Sequence, residues 1–209
     1  MDSFDHNKLL KKVARERLKP FNILQKGQSR TFLYDKGLWT AIIEFQPSSW
    51  SRGTYLNVAA DFHLYPRDYF AFAYGGREKS FEEAENENDF SKIVNDYCDQ
   101  ALLKVAKIKV DFIDISSSIK TLENLKSNDP WKIYDLGILY ALNGQINPSK
   151  RCLQIVYEQK CDRPFEFERQ KFIAEILEWF DNDRLLKSKL KDMINRTRQL
   201  KKLPIMELA

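Results

Sequence analysis

Histidine and cysteine are scarce in this chain of 209 residues, with two of the first, His6 and His63, and three of the second, Cys98, Cys152 and Cys161. Two histidines exclude a multi-histidine metal centre, and the cysteines, with no Cys-x-x-Cys pair, are badly spaced for zinc. An odd number of scattered thiols fits a reducing cytoplasm better than a disulfide framework. Glycine is sparse as well, at seven. The one Gly-Gly pair, in Gly75-Gly76-Arg77, has neither the Gly-x-Gly-x-x-Gly nor the Gly-Lys-Ser/Thr form of a phosphate-binding loop. Acidic residues that would repel phosphate follow it, so it reads as a plain turn. No apolar run approaches the length of a bilayer span, and Met1 to Lys12 is charged throughout, unlike a signal peptide. These absences predict a soluble cytoplasmic protein with no membrane segment, no metal and no other cofactor.

What is present is the composition of a folded chain, 43% hydrophobic and 13% aromatic, long enough to bury a substantial core. The net charge of +4 is unevenly spread, for Arg184 to Lys202 alone carries eight basic residues against one acid, Asp192. The rest of the chain is therefore net acidic, and the basicity is a local property of the C-terminus.

Helical and strand periods divide the chain into two expected domains, 1–113 and 114–209. Lys8 to Leu18 reads as an amphipathic helix with Leu10, Ala14 and Leu18 in one stripe, ended by Pro20. Four strand-like runs follow, near 30–35, 39–46, 54–64 and 69–74. In the second, Trp39, Ala41, Ile43 and Phe45 share a face; in the third, Leu56, Val58, Ala60, Phe62 and Leu64 do. Gly75-Gly76 closes the last run, and 78–89 reads as a solvated acidic loop with Asp89 as the N-cap of a helix from Phe90 to Ile108. That helix is the expected cover of the sheet. Beyond Asp114 only helices are expected, near 116–126, 131–143, 147–160, 166–181 and 183–202. The fold class is thus α+β, a four-stranded antiparallel sheet packed by helices and followed by an all-helical region. Within that region Leu136-Gly137, Tyr140, Ala141-Leu142 and Gly144, with Ser149 and Leu153 after them, resemble one tetratricopeptide-like helical hairpin, in which the small residues let the second helix approach closely.

The most unusual stretch is Gln46 to Asn57, where two serines, a tryptophan, an arginine and an asparagine surround one turn that needs only a residue or two for chain reversal. Two readings fit it. Gln46, Trp50, Arg52, Tyr55 and Asn57 supply the aromatic area and directional hydrogen bonds of a partner-binding edge. Alternatively, the serines and Asn57 bond the turn backbone and Trp50 caps the sheet. Trp131, Tyr134 and Tyr140 are weaker contact candidates, residue types more often found in a core. Asp61 and His63 lie two apart on one strand face and could perform acid–base chemistry, but no nucleophile or oxyanion partner accompanies them. No residue is therefore assigned a catalytic or cofactor-binding role. On the basic C-terminal helix, Lys187, Lys191 and Arg198 could contact nucleic acid or an acidic partner. Leu186, Leu190, Met193 and Ile194 on the same helix fit an ordinary amphipathic one, its charged face in solvent.

Leu18-Lys19-Pro20, Lys26-Gly27-Gln28-Ser29-Arg30-Thr31-Phe32, the turn from Phe45 to Gly53 and Tyr55-Leu56-Asn57-Val58 together resemble a bacterial family known as domain of unknown function number 4304. The likeness covers roughly 5–110, with Pro20-Phe21-Asn22 departing from the glycine-phenylalanine pair expected after the first helix. It implies an α+β fold and a bacterial origin, and no activity. The expected function is a non-catalytic protein-interaction module whose partner is another protein. The alternatives are a nucleic-acid-associated accessory role through the basic helix, or an immunity or defence-locus role.

Overall fold

Asp5 opens the first helix, α1 (His6–Leu18), by accepting the Lys8 N–H on its carboxylate at 3.0 Å, the usual way a helix start satisfies an orphan donor. Pro20 then forces a single 3-10 turn, Lys19–Phe21, closed by Asn22 in the left-handed region at φ 59°. The computed structural model describes residues 5–48 and 51–206, and within them the chain forms seven α-helices and a five-stranded sheet. The strands are β1 (Leu24–Gln25), β2 (Thr31–Asp35), β3 (Trp39–Pro47), β4 (Gly53–Phe62) and β5 (Tyr74–Glu83), each antiparallel to the next in chain order. The remaining helices are α2 (Glu87–Asp111), α3 (Ile115–Leu125), α4 (Pro130–Leu142), α5 (Ile146–Tyr157), α6 (Pro164–Trp179) and α7 (Asp183–Leu200). Among the described residues, no helix is long and apolar enough to cross a membrane.

The α+β class and the helical C-terminal region are as the sequence implies. Strand 69–74 is not. Its backbone is irregular, and Ala71 donates its N–H to the Asp61 carboxylate at 3.1 Å rather than to a neighbouring strand. The strand begins where the turn was expected and runs through the acidic stretch to Glu83. A sheet edge tolerates charged side chains, and β5 has only β4 beside it. Likewise Asn86, not Asp89, caps α2, its side-chain oxygen accepting the Asp89 N–H at 2.9 Å.

The chain divides into two compact units, Met1–Phe62 with Phe70–Lys109, and His63–Tyr69 with Val110–Ala209. The short segment His63–Tyr69 thus joins the helical unit, a grouping that strand periodicity did not disclose. In the first unit, register pairs Trp39 with Phe62, Ala41 with Ala60, Ile43 with Val58 and Phe45 with Leu56, which places the expected apolar sets on one face. All eight of these are buried, together with Leu10, Ala14 and Leu18 of α1 and Phe90, Val94, Tyr97, Ala101 and Val105 of α2. Each large side chain so buried contributes about 1.5–3 kcal/mol. Lys104–Glu78 at 2.7 Å and Tyr97 Oη donating to Ser80 O at 2.7 Å join α2 to β5.

In the second unit α4 and α5 pack around Gly137, where a Cβ would lie 3.1 Å from both the Cys152 Cβ and the Leu153 Cγ. Ser149 Oγ donates to Gly137 O at 2.7 Å across the same contact. Leu139, Leu153, Ile173, Ile176, Leu190 and Ile194 are buried there, with Leu64 from the short segment.

Candidate functional site

Strand pairing brings one polar row together. Glu44 of β3 stands opposite Asn57 of β4, which stands opposite Arg77 of β5, and Gln46 stands opposite Tyr55. Side chains two apart on a strand share a face, so all five lie on the same side of the sheet. Asn57 is the buried hub, 8% exposed. Its amide nitrogen donates to Glu44 Oε2 at 2.9 Å and to Gln46 Oε1 at 3.1 Å, and its oxygen accepts from Arg77 Nε at 3.3 Å. Arg77 Nη2 donates to Gln46 Oε1 at 2.8 Å, and its guanidinium lies 4.0 Å over the Tyr55 ring. Tyr55 in turn packs on Phe81 at 5.1 Å. Register shifts between Thr54 and Asn57 and the side-chain-free backbone of Gly53, where a Cβ would meet Glu82 O at 2.2 Å and the Phe81 ring at 2.4 Å, bring Phe81 into this group. Bulges of this kind re-aim side chains at sheet edges.

Of the partner-binding residues expected from sequence, Gln46, Tyr55 and Asn57 are therefore brought together. Arg52 is exposed, and its carbonyl accepts from Ala84 N at 2.9 Å. Trp50 lies outside the described residues. Arg77, Glu44 and Phe81 are additions to that set, for Gly75-Gly76-Arg77 has the sequence of a turn. β4 is buried along almost its full length, as a central strand is. Tyr55, Asn57 and Asp61 on one of its faces nevertheless give it the alternation of a half-exposed strand, so no sequence signal points to the partner beyond it.

The basic helix is corrected at one position. Lys187 and Lys191 are exposed, whereas Arg198 is 3% exposed and its Nε donates to Pro204 O at 2.8 Å, so it cannot serve as a surface contact. Of the weaker aromatic candidates, Tyr134 is fully buried and donates to Leu64 O at 2.8 Å, Tyr140 is buried with its hydroxyl on Glu123, and Trp131 packs edge-on to Tyr65 at 4.9 Å. Tyr134 and Tyr140 are core, and Trp131 is half-buried against it.

Asp61 and His63 fall in different units. His63 is fully buried, with Lys201 Nζ 3.2 Å from its Nδ1. Opposite a protonated Lys201, which has donors only, Nδ1 accepts and the ring proton sits on Nε2. Burial, followed by the charges of Lys201, Arg198 and Arg67, holds the imidazole well below its ordinary range, hence neutral. A neutral imidazole with no exposed surface offers no base to a substrate arriving from solvent. No family model, no curated protein and no solved structure matches this chain.

Proposed function

We propose that this protein is a non-catalytic protein-interaction module that engages its partner through the polar–aromatic face of β3, β4 and β5. The observation that carries this reading is the exposed Arg77, fixed by Asn57, Gln46 and the Tyr55 ring. An arginine held in one rotamer beside aromatic area loses little side-chain entropy on binding, which is what binding hot spots share. The α4–α5 packing at Gly137 and Ser149 supports a tetratricopeptide-like hairpin as a second surface. The resemblance to the bacterial domain of unknown function 4304 fits a bacterial cytoplasmic setting, and an immunity or defence-locus role belongs to the same reading.

A photo-crosslinking residue at position 55 tests this, with one at exposed Lys92 as control. The expected result, in host lysate, is a discrete crosslinked protein from position 55 and none from position 92. Identical patterns from both positions refute the surface. The nucleic-acid alternative now rests on Lys187 and Lys191 alone. It requires affinity that falls steeply with salt and weakens on Lys187→Glu and Lys191→Glu.

A further inference from the structure

A guanidinium has two hydrogen-bonding edges, a side edge formed by Nε–H with one Nη2–H, and an end edge formed by Nη1–H with the other Nη2–H. Arg77 spends its side edge on Asn57 Oδ1 and Gln46 Oε1. One of its faces lies on Tyr55. The end edge, on an exposed residue, meets no acceptor among the described residues. We infer that Arg77 is the receptor for a single carboxylate of the partner protein, taken end-on in a two-bond pair; this rests on the interaction face proposed above.

The geometry favours a carboxylate because a planar fork matches two coplanar oxygens. Its charge surroundings narrow the partner further. Between Tyr74 and Asp89 there are six acidic residues against two basic ones. Glu83 is exposed on the same strand and the same face as Arg77, and Glu44 sits one hydrogen bond away through Asn57. A polyanion such as nucleic acid, or a run of acids, would be repelled here. One carboxylate flanked by lysine or arginine would instead satisfy Arg77 while its neighbours face Glu83 and Glu44. The partner chemistry assigned is therefore an Asp or Glu anchor in a basic context.

The probes are three synthetic peptides, identical but for a central residue flanked by lysines: glutamate, glutamine or phosphoserine. The readout is the Arg77 Nε–Hε NMR signal together with the dissociation constant. The glutamate peptide should move that signal, and glutamine in its place should weaken binding by at least about tenfold, the loss of one charge-assisted bidentate pair. Arg77→Lys, which keeps the charge and removes the fork, should lose a similar factor with its unfolding curve unchanged. Equal binding of the glutamine peptide, tighter binding of the phosphoserine peptide, or an unaffected Arg77→Lys each overturns the inference. If crosslinking at position 55 succeeds while the peptides fail, the carboxylate receptor falls and the interaction face stands; if crosslinking fails, the face itself is lost.

Discussion

The two units each hold a cluster of polar and charged side chains, and they use them in opposite ways. In the sheet, Glu44, Gln46, Asn57 and Arg77 satisfy one another at the surface, and the end edge of Arg77 has no hydrogen bond among the described residues. In the helical unit, His63, Lys201, Arg198 and Thr197 are all buried, and the imidazole gives up its charge to remain there. Burying a charge costs several kcal/mol unless it is paired, whereas an exposed one costs almost nothing. The first arrangement can therefore be spent on a partner, and the second is committed to stability.

The sharpest test of that division leaves charge aside. Gly75, at φ 146°, lies so close to β4 that a Cβ would fall 2.2 Å from Val58 O and 2.6 Å from the Ala59 Cα. Neither backbone atom can yield without opening the ladder that sets the Asn57–Arg77 register. Gly75→Ala should cost at least about 3 kcal/mol in urea unfolding. Gly76→Ala, where a Cβ meets nothing within 4 Å, should cost less than about 1 kcal/mol. Equal effects at the two positions would mean that β5 is not docked on β4 as described.

That strand is also where the sequence was least legible. Helix periods located α1 to α7 closely, because their apolar stripes recur over three or more turns. The α4–α5 contact at Gly137 was readable from small residues at the right spacing. β5 carries almost no apolar pattern, since an edge strand needs none, and its Gly-Gly start looks like a turn. With β5 unread, Arg77 could not be set beside Asn57. The placement of His63 was hidden for a different reason: it continues the period-two alternation of β4 for one more residue, yet the chain leaves the sheet after Phe62.

The buried cluster makes the helical unit sensitive to acid. Folded His63 takes a proton only well below 6.5, its ordinary value, whereas the unfolded chain takes one near 6.5. Below 6.5 the unfolded state therefore holds more protons, and stability falls as pH drops, by up to about 1.4 kcal/mol per pH unit. His6, shifted the same way by its own burial and by Arg30, gives the sheet unit a slope of the same sign. Unfolding at about pH 7.5 and about pH 5.5 should show His63→Gln losing much less stability between them than wild type does. Parallel slopes would show that His63 is not the neutral, buried group.

Tyr134→Phe probes the same unit without a charge. It removes the hydroxyl that Leu64 O accepts from and leaves that carbonyl unsatisfied inside the core. A cost of about 1–2 kcal/mol is expected in urea unfolding, the usual penalty for orphaning a buried acceptor. A loss below about 0.5 kcal/mol would mean that Leu64 O finds another donor, and that Tyr134 does not secure the His63–Tyr69 segment to α4.

Arg77→Ala should have the smallest effect on stability and, through the carboxylate pair, a large one on binding. Its removal takes one donor from Asn57 Oδ1 and one from Gln46 Oε1, but Asn57 Nδ2 still donates to Glu44 and to Gln46. Asn57 Oδ1 loses its donor, but the space left by an exposed side chain admits water to replace it. Arg77 is itself exposed, so the cost should stay below about 0.5 kcal/mol, as for a surface substitution that breaks no core packing. The informative comparison is with Tyr134→Phe under identical conditions. If Arg77→Ala proves the more destabilising of the two, the Tyr55–Arg77 stack holds the sheet edge together. The guanidinium would then belong with His63 and Lys201 among the groups that fold this chain.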